Sequence, residues 1–74
     1  MADIKYDIIE ELGVVSESKK GWNKELNLVS WNGASPKYDL RDWAQNHEKM
    51  GKGITLTADE VQELYKLLSK IVKA

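Results

Sequence analysis

One stretch, residues 52–68, constrains the fold more than any other part of this 74-residue chain. Its beginning, residues 53–56, has the short β-branched pattern of a strand. Thr57 and Glu60 follow with the spacing of a capping box, in which each side chain accepts a hydrogen bond from the other residue's backbone N–H. The sequence therefore predicts a short strand that turns directly into a helix.

The apolar side chains of this helix predict a partner beyond its own sheet. At about 100° per residue they gather on one arc that is roughly 160° wide. A helix that only covers a sheet needs an apolar stripe of a little over ~100°. The surplus favours contact with the same helix of a second copy. The predicted dimer-interface residues are Val61, Leu64, Tyr65, Leu68, Ile71 and Val72.

Chain length and cysteine content leave dimerisation as the obvious source of extra stability. A core of this size is marginal unless a staple, a metal or a partner subunit reinforces it. The chain has no cysteine, which excludes disulfides and thiolate metal sites. The N-terminal residues lack an apolar signal-peptide core. We predict a single domain over residues 1–74, cytoplasmic and without a membrane partner.

Three further strands are predicted before the strand that leads into the helix. Gly13 interrupts the first one and predicts a bend or bulge. A helix over residues 4–12 is the alternative there, because the apolar spacing also fits a 3.6-residue period. Asn32-Gly33 is a strong hairpin signal, although three more residues lengthen the loop. The predicted strands are residues 4–16, 22–31, 37–43 and 51–57, with a loop over residues 44–50.

This order predicts the α+β class: a curved four-stranded antiparallel sheet followed by one C-terminal helix. Leu26, Leu28, Tyr38 and Leu40 alternate onto the side that the helix would cover. The opposite side is then predicted to face solvent, with the residues Asn27, Trp31, Lys37, Arg41 and Trp43. Aromatic rings interleaved with cations suit single-stranded nucleic acid, because bases stack on rings while Lys and Arg contact phosphates.

The charge distribution permits this function more than the net charge does. The formal net charge is −1, which argues against a generally basic nucleic-acid binder. Residues 18–52, however, carry seven Lys or Arg against four Asp or Glu. The middle of the chain could therefore face a polyanion. The alternative is the ordinary charge mixing of a small soluble domain.

Other chemistry finds little support in the sequence. His47 stands in a polar loop with no second His, no Cys and no carboxylate at metal spacing, so we interpret it as an exposed surface residue. Asp39 and Asp42 lie on opposite faces of a strand and do not form an acid/base pair. We predict no enzyme activity, no small-molecule substrate, no cofactor and no metal. For Trp22 and Trp31, a packing role is the alternative to base stacking.

Two stretches resemble the transcriptional positive cofactor 4 family. They are Tyr38-Asp39-Leu40-Arg41-Asp42-Trp43 and Lys52-Gly53-Ile54-Thr55-Leu56-Thr57. The whole chain is similar to the compact bacterial YdbC-like branch of that family. The resemblance implies a curved four-stranded sheet with a C-terminal helix, dimerisation through the helices, and binding of single-stranded DNA with little sequence preference. It also implies that Arg41 and Lys52 contact phosphates. Ala44 stands where the family has a tryptophan, so Trp31 or Trp22 would supply that ring.

We therefore predict a homodimer that binds single-stranded DNA, with RNA as a further possible ligand, in transcription or in replication and repair. The alternative is a protein-interaction adaptor or coactivator that docks a peptide or a transcription-machinery subunit on its aromatic face. The predicted nucleic-acid-binding residues are Lys19, Lys20, Trp22, Lys24, Trp31, Lys37, Arg41, Trp43, Lys49 and Lys52.

Overall fold

The computed structural model describes residues 5–18 and 20–72, which form four strands and one C-terminal helix. The sheet is antiparallel throughout, and its strands lie side by side in chain order. The predicted fold class is confirmed, and the N-terminal segment is a strand rather than a helix. The elements are β1 Tyr6–Glu17, β2 Asn23–Trp31, β3 Lys37–Trp43, β4 Met50–Leu56 and α1 Ala58–Leu68.

The structure differs from the prediction in the loop between β3 and β4 and at the end of α1. A one-turn 3-10 helix, Gln45–His47, occupies the predicted loop between β3 and β4. The helix α1 ends at Leu68, so Ile71 and Val72 lie beyond it, Ile71 in the turn that follows. The predicted start of the first strand, Ile4, lies outside the described residues.

The hairpin between β2 and β3 follows from the Asn-Gly pair. Asn32 and Gly33 both adopt left-handed backbone conformations, with φ of 51° and 76°. The N–H of Ala34 donates a hydrogen bond of 2.9 Å to the carbonyl of Trp31 and closes the turn. Two successive residues with positive φ give a turn whose twist matches the strands beside it.

β1 is irregular and curls along β2. Its pairing with β2 shifts register three times, between Ile8 and Glu10, between Glu11 and Gly13, and between Val14 and Ser16. The shift at Gly13 confirms the predicted bulge. Each shift adds twist and changes which side chains share a face. As a result Glu11 lies opposite Asn27 and faces the same side of the sheet.

The capping box at the start of α1 forms as predicted. Thr57 Oγ1 accepts from the Glu60 N–H at 3.1 Å, and the Thr57 N–H donates to Glu60 Oε1 at 2.8 Å. Asp59 and Glu60 also place negative charge near the positive end of the helix dipole. Among the described residues no helix is long and apolar enough to cross a membrane.

The two faces of the sheet differ in how well they are buried. The helix side carries Leu26, Leu40 and Leu56, which face the apolar arc of α1. The far side carries the side chains that are fully buried, namely Asn27, Val29, Asp39 and Trp43. The best-sealed part of the core therefore lies on the sheet face opposite the helix.

Candidate nucleic-acid interface

An aromatic cluster closes the far side. The ring centroid of Tyr6 lies 5.7 Å from that of Trp31 and 5.4 Å from that of Trp43. The His47 ring meets Trp43 edge-on, at 5.0 Å and 86°. The prediction that Asn27 and Trp43 face solvent is wrong, because Asn27 is 0% exposed and so is Trp43. The curl of β1 brings Tyr6 over it, and the turn at residues 45–47 brings His47 against it.

Arg41 is held by an acidic partner two residues away on the same strand. Its Nε and Nη2 atoms donate to the two carboxylate oxygens of Asp39 at 2.6 and 2.8 Å. The Asp39 side chain is fully buried and that of Arg41 is 15% exposed. The guanidinium carbon lies 4.8 Å from the centre of the Trp31 ring. The pair therefore holds Arg41 over the Trp31 ring and compensates its charge.

Trp31 borders an open depression on the far side. It is half-buried, and it lines an open depression of about 370 Å³ together with Asn32, Arg41, Met50 and Thr55. Its indole N–H is buried and has no acceptor among the described residues. A flat ring held by a cation at the edge of an open depression is a suitable platform for an unpaired base.

The structure brings two of the predicted lysines together. Lys24 on β2 and Lys52 on β4 line a second open depression of about 390 Å³, with Leu40, Arg41 and Ile54 among its other residues. Lys20, Lys37 and Lys49 are also exposed but are not part of that depression. Lys19 lies outside the described residues.

Trp22 lies beside the segment that leads into Lys52. A Cβ at Gly51 would lie 3.3 Å from the Trp22 ring and 3.2 Å from Asp42 Cβ. Both distances are tight, so a glycine at this position lets the half-buried Trp22 ring approach the β4 backbone closely. The glycine is the signal in the sequence that could have indicated this contact.

His47 is not the isolated surface residue that the sequence suggested. Its Nε2 atom lies 2.7 Å from Glu25 Oε1 and 3.6 Å from Glu11 Oε1. Its side chain is only 26% exposed, and the Tyr6 hydroxyl donates to its carbonyl oxygen at 3.2 Å. The interpretation was wrong because strand pairing joins residues that are far apart in sequence. Nothing in the local pattern around Glu11 or Glu25 indicates this contact.

The helix side stays open between α1 and the sheet. An apolar space of about 360 Å³ lies between them, and its lining includes Leu26, Leu56, Leu64 and Leu68. Of the predicted dimer-interface residues, Val61 and Leu64 are half-buried. The exposed ones are Tyr65 at 72%, Leu68 at 43%, Ile71 at 76% and Val72 at 63%. A second copy of the chain is not present, so the dimer stays a prediction.

Comparison with known proteins gives two similarities. Residues 18–67 match the sequence model of the family described as Transcriptional Coactivator p15 (PC4). The chain is also 44% identical over 69 residues to an uncharacterized protein of Treponema pallidum (strain Nichols). That alignment covers 93% of this chain and 81% of the Treponema protein. The matched region contains β2, β3 and β4 and nearly all of α1.

Proposed function

The chain belongs to the Transcriptional Coactivator p15 (PC4) family, and we propose that it binds single-stranded DNA with little sequence preference. The family binds single-stranded DNA and is not enzymatic. The observation that carries the proposal is the half-open ring of Trp31, held against Arg41 beside an open depression. Stacking of one base on such a ring is worth about 1–3 kcal/mol.

In this proposal the lysines supply most of the phosphate contacts. Lys24 and Lys52 are exposed and line a depression with Leu40 and Ile54 on the helix side. A strand stacked on Trp31 would therefore cross the β4 edge to reach them. Arg41 attracts the phosphates of the strand less strongly, because Asp39 already neutralises the guanidinium charge. Its role is then to hold Trp31 in place, with some direct contact to phosphate.

The aromatic residues divide by burial. Trp31 and Trp22 are half-buried and are the candidates for base stacking. Trp43 has no exposed surface, so we propose that it supports the far side from within. The other predicted contacts, Lys20, Lys37 and Lys49, are exposed and would extend the path of the strand.

We expect fluorescently labelled oligo-dT to bind more tightly than a duplex of equal length, with affinity that falls as salt rises. For single strands the logarithm of the binding constant falls by about 0.7 for each unit of log salt, for every phosphate that the protein contacts. Lys52→Ala should weaken binding of all sequences alike and reduce this slope by about 0.7. The measurement is an anisotropy titration at several salt concentrations, with oligo-U as an additional ligand to compare RNA with DNA.

The matched control is Lys66→Ala. Lys66 lies on α1 with a side chain that is 68% exposed, away from both depressions on the sheet. Its replacement should leave affinity and salt slope unchanged. Equal binding of single strand and duplex, or no binding of either, would reject the proposed function. Equal effects of the two lysine variants would place the phosphate path elsewhere.

We also propose that two copies associate through α1 and the helix side. The support is the open apolar space under the helix, together with exposed apolar side chains on the same arc. Sedimentation velocity at micromolar concentration should give a dimer for the wild-type chain. Tyr65→Asp should give a folded monomer, since Tyr65 is 72% exposed within one chain. Glu63→Ala, at a 70% exposed side chain of α1 that lines neither apolar depression beside Tyr65, should remain dimeric; a monomeric wild-type chain would refute the dimer.

A further inference from the structure

Three side chains from separate parts of the chain converge at one edge of the far side. Glu11 comes from β1, Glu25 from β2, and His47 from the turn between β3 and β4. One ligand atom from each lies within 4.8 Å of the others. We propose that Glu11, Glu25 and His47 form a binding site for a divalent transition-metal ion of the Zn²⁺ type.

The backbone presents these groups to one another. The register shift between Ile8 and Glu10 changes the facing of β1, so that Glu11 points to the same side as its partner Asn27 on β2. His47 has a positive φ of 56°, an uncommon conformation for a residue other than glycine. The hydrogen bond from Tyr6 and the edge contact with Trp43 hold the turn and the imidazole ring in place.

The chemistry of the three groups matches a borderline cation. With a neutral imidazole the set offers one nitrogen and two carboxylates, and the two negative charges balance a divalent ion. Zn²⁺ binds such nitrogen and oxygen donors, and in catalytic sites it has three protein ligands and one open position. Mg²⁺ prefers an octahedral shell of oxygen ligands and keeps several waters. The donor set therefore favours Zn²⁺ over Mg²⁺.

A buried amide next to the site adds a second, independent observation. Asn27 is 0% exposed, and its Nδ2 atom donates to Glu25 Oε1 at 3.2 Å. That hydrogen bond orients the Glu25 carboxylate, as an outer-shell partner of a metal ligand does. The Asn27 Oδ1 atom is buried and has no donor among the residues described. A water held by the ion is a donor of the kind that this buried oxygen lacks.

Such an ion would add a direct link among three segments of the chain. It would tie β1, at the edge of the sheet, to β2 and to the turn at residues 45–47. Because the three ligands come together only in the folded chain, binding would stabilise the folded state. The proposed site is independent of nucleic-acid binding and can be tested without DNA.

The test is titration of the full-length chain with ZnCl₂ and, separately, MgCl₂, followed by calorimetry and by thermal unfolding. We expect Zn²⁺ to bind one ion per chain and to raise the unfolding midpoint, while Mg²⁺ has no effect at the same concentration. Glu11→Gln should lower the Zn²⁺ affinity at least about tenfold. Its fold should persist, since the Glu11 side chain is 65% exposed.

The matched control is Glu10→Gln, which removes a neighbouring exposed carboxylate on β1 that is not part of the cluster. It should bind Zn²⁺ like the wild-type chain, and His47→Gln should lose binding like Glu11→Gln. Absence of Zn²⁺ binding to the wild-type chain would overturn the proposal. Equal Zn²⁺ affinity of Glu10→Gln and Glu11→Gln would overturn it as well, because it would indicate unspecific surface carboxylates.

Discussion

The two faces of the sheet reverse the usual relation between a helix and a core. On the far side, which α1 does not cover, Val29 and Trp43 are fully buried. On the helix side, Ile54 on β4 is 54% exposed, and Tyr65 and Leu67 on α1 are 72% and 57% exposed. Burial here follows the curl of the sheet and the loop between β3 and β4, not the position of the helix.

The difference shows that a small domain can complete one face by itself and leave the other for a partner. The far side closes because the register shifts of β1 wrap Tyr6 over Trp43, and the turn adds His47. The helix side has no such closing segment among the described residues, so its apolar surface stays accessible. Contiguous exposed apolar surface of this kind marks association sites, in agreement with the dimer we propose.

Removal of the Trp43 indole should have the largest effect on stability among these variants. Trp43→Ala is expected to lower the free energy of unfolding by about 4 kcal/mol, because it deletes a fully buried aromatic ring. Leu67→Ala, at a side chain that is 57% exposed on α1, should change it by less than about 0.5 kcal/mol. Urea denaturation at one fixed protein concentration measures both. Similar losses in the two variants would contradict the unequal burial of the faces.

Loss of the buried Asp39–Arg41 ion pair should have the second-largest effect on stability. Asp39→Asn is expected to cost about 3 kcal/mol of unfolding free energy, since it leaves the largely buried Arg41 guanidinium without its counter-charge. It should also weaken oligo-dT binding, because Arg41 no longer holds Trp31 in place. Asp7→Asn, an exposed carboxylate on β1, is the control and should be neutral. An unchanged unfolding midpoint in Asp39→Asn would show that the ion pair does not stabilise the far side.

A smaller effect is expected at the close approach of β3 and β4. A Cβ at Gly53 would collide with the Cα and Cβ atoms of Arg41, so Gly53→Ala should cost about 2 kcal/mol. Gly13→Ala, in the irregular part of β1, meets nothing within 4 Å and should be within about 0.5 kcal/mol of wild type. Thermal unfolding of the two variants side by side gives the comparison. Equal midpoints would show that β3 and β4 can move apart at Gly53 without a loss of stability.

Several features of the protein were determined by short stretches of sequence. Thr57 and Glu60 fix the start of α1 because capping needs only residues three apart. Asn32 and Gly33 fix the hairpin because both tolerate positive φ. The alternation along β2 and β3 assigned side chains to the correct two faces. These are local rules, so four strands followed by a helix could be read from the sequence, as could the family resemblance.

Which face is sealed, and which residues meet on it, was decided by the tertiary structure alone. Faces assigned from a two-residue period in the sequence take no account of how bulges rotate a strand. In the structure, the shifts in β1 turn Glu11 toward Glu25 and His47 and bring Tyr6 over Trp43. Residues 11, 25 and 47 carry no local signal of contact, because their proximity depends on strand register summed over the sheet. Local patterns along the chain thus set the elements and their order, whereas the accumulated bulges and pairings set the buried cluster, since burial depends on every neighbour at once.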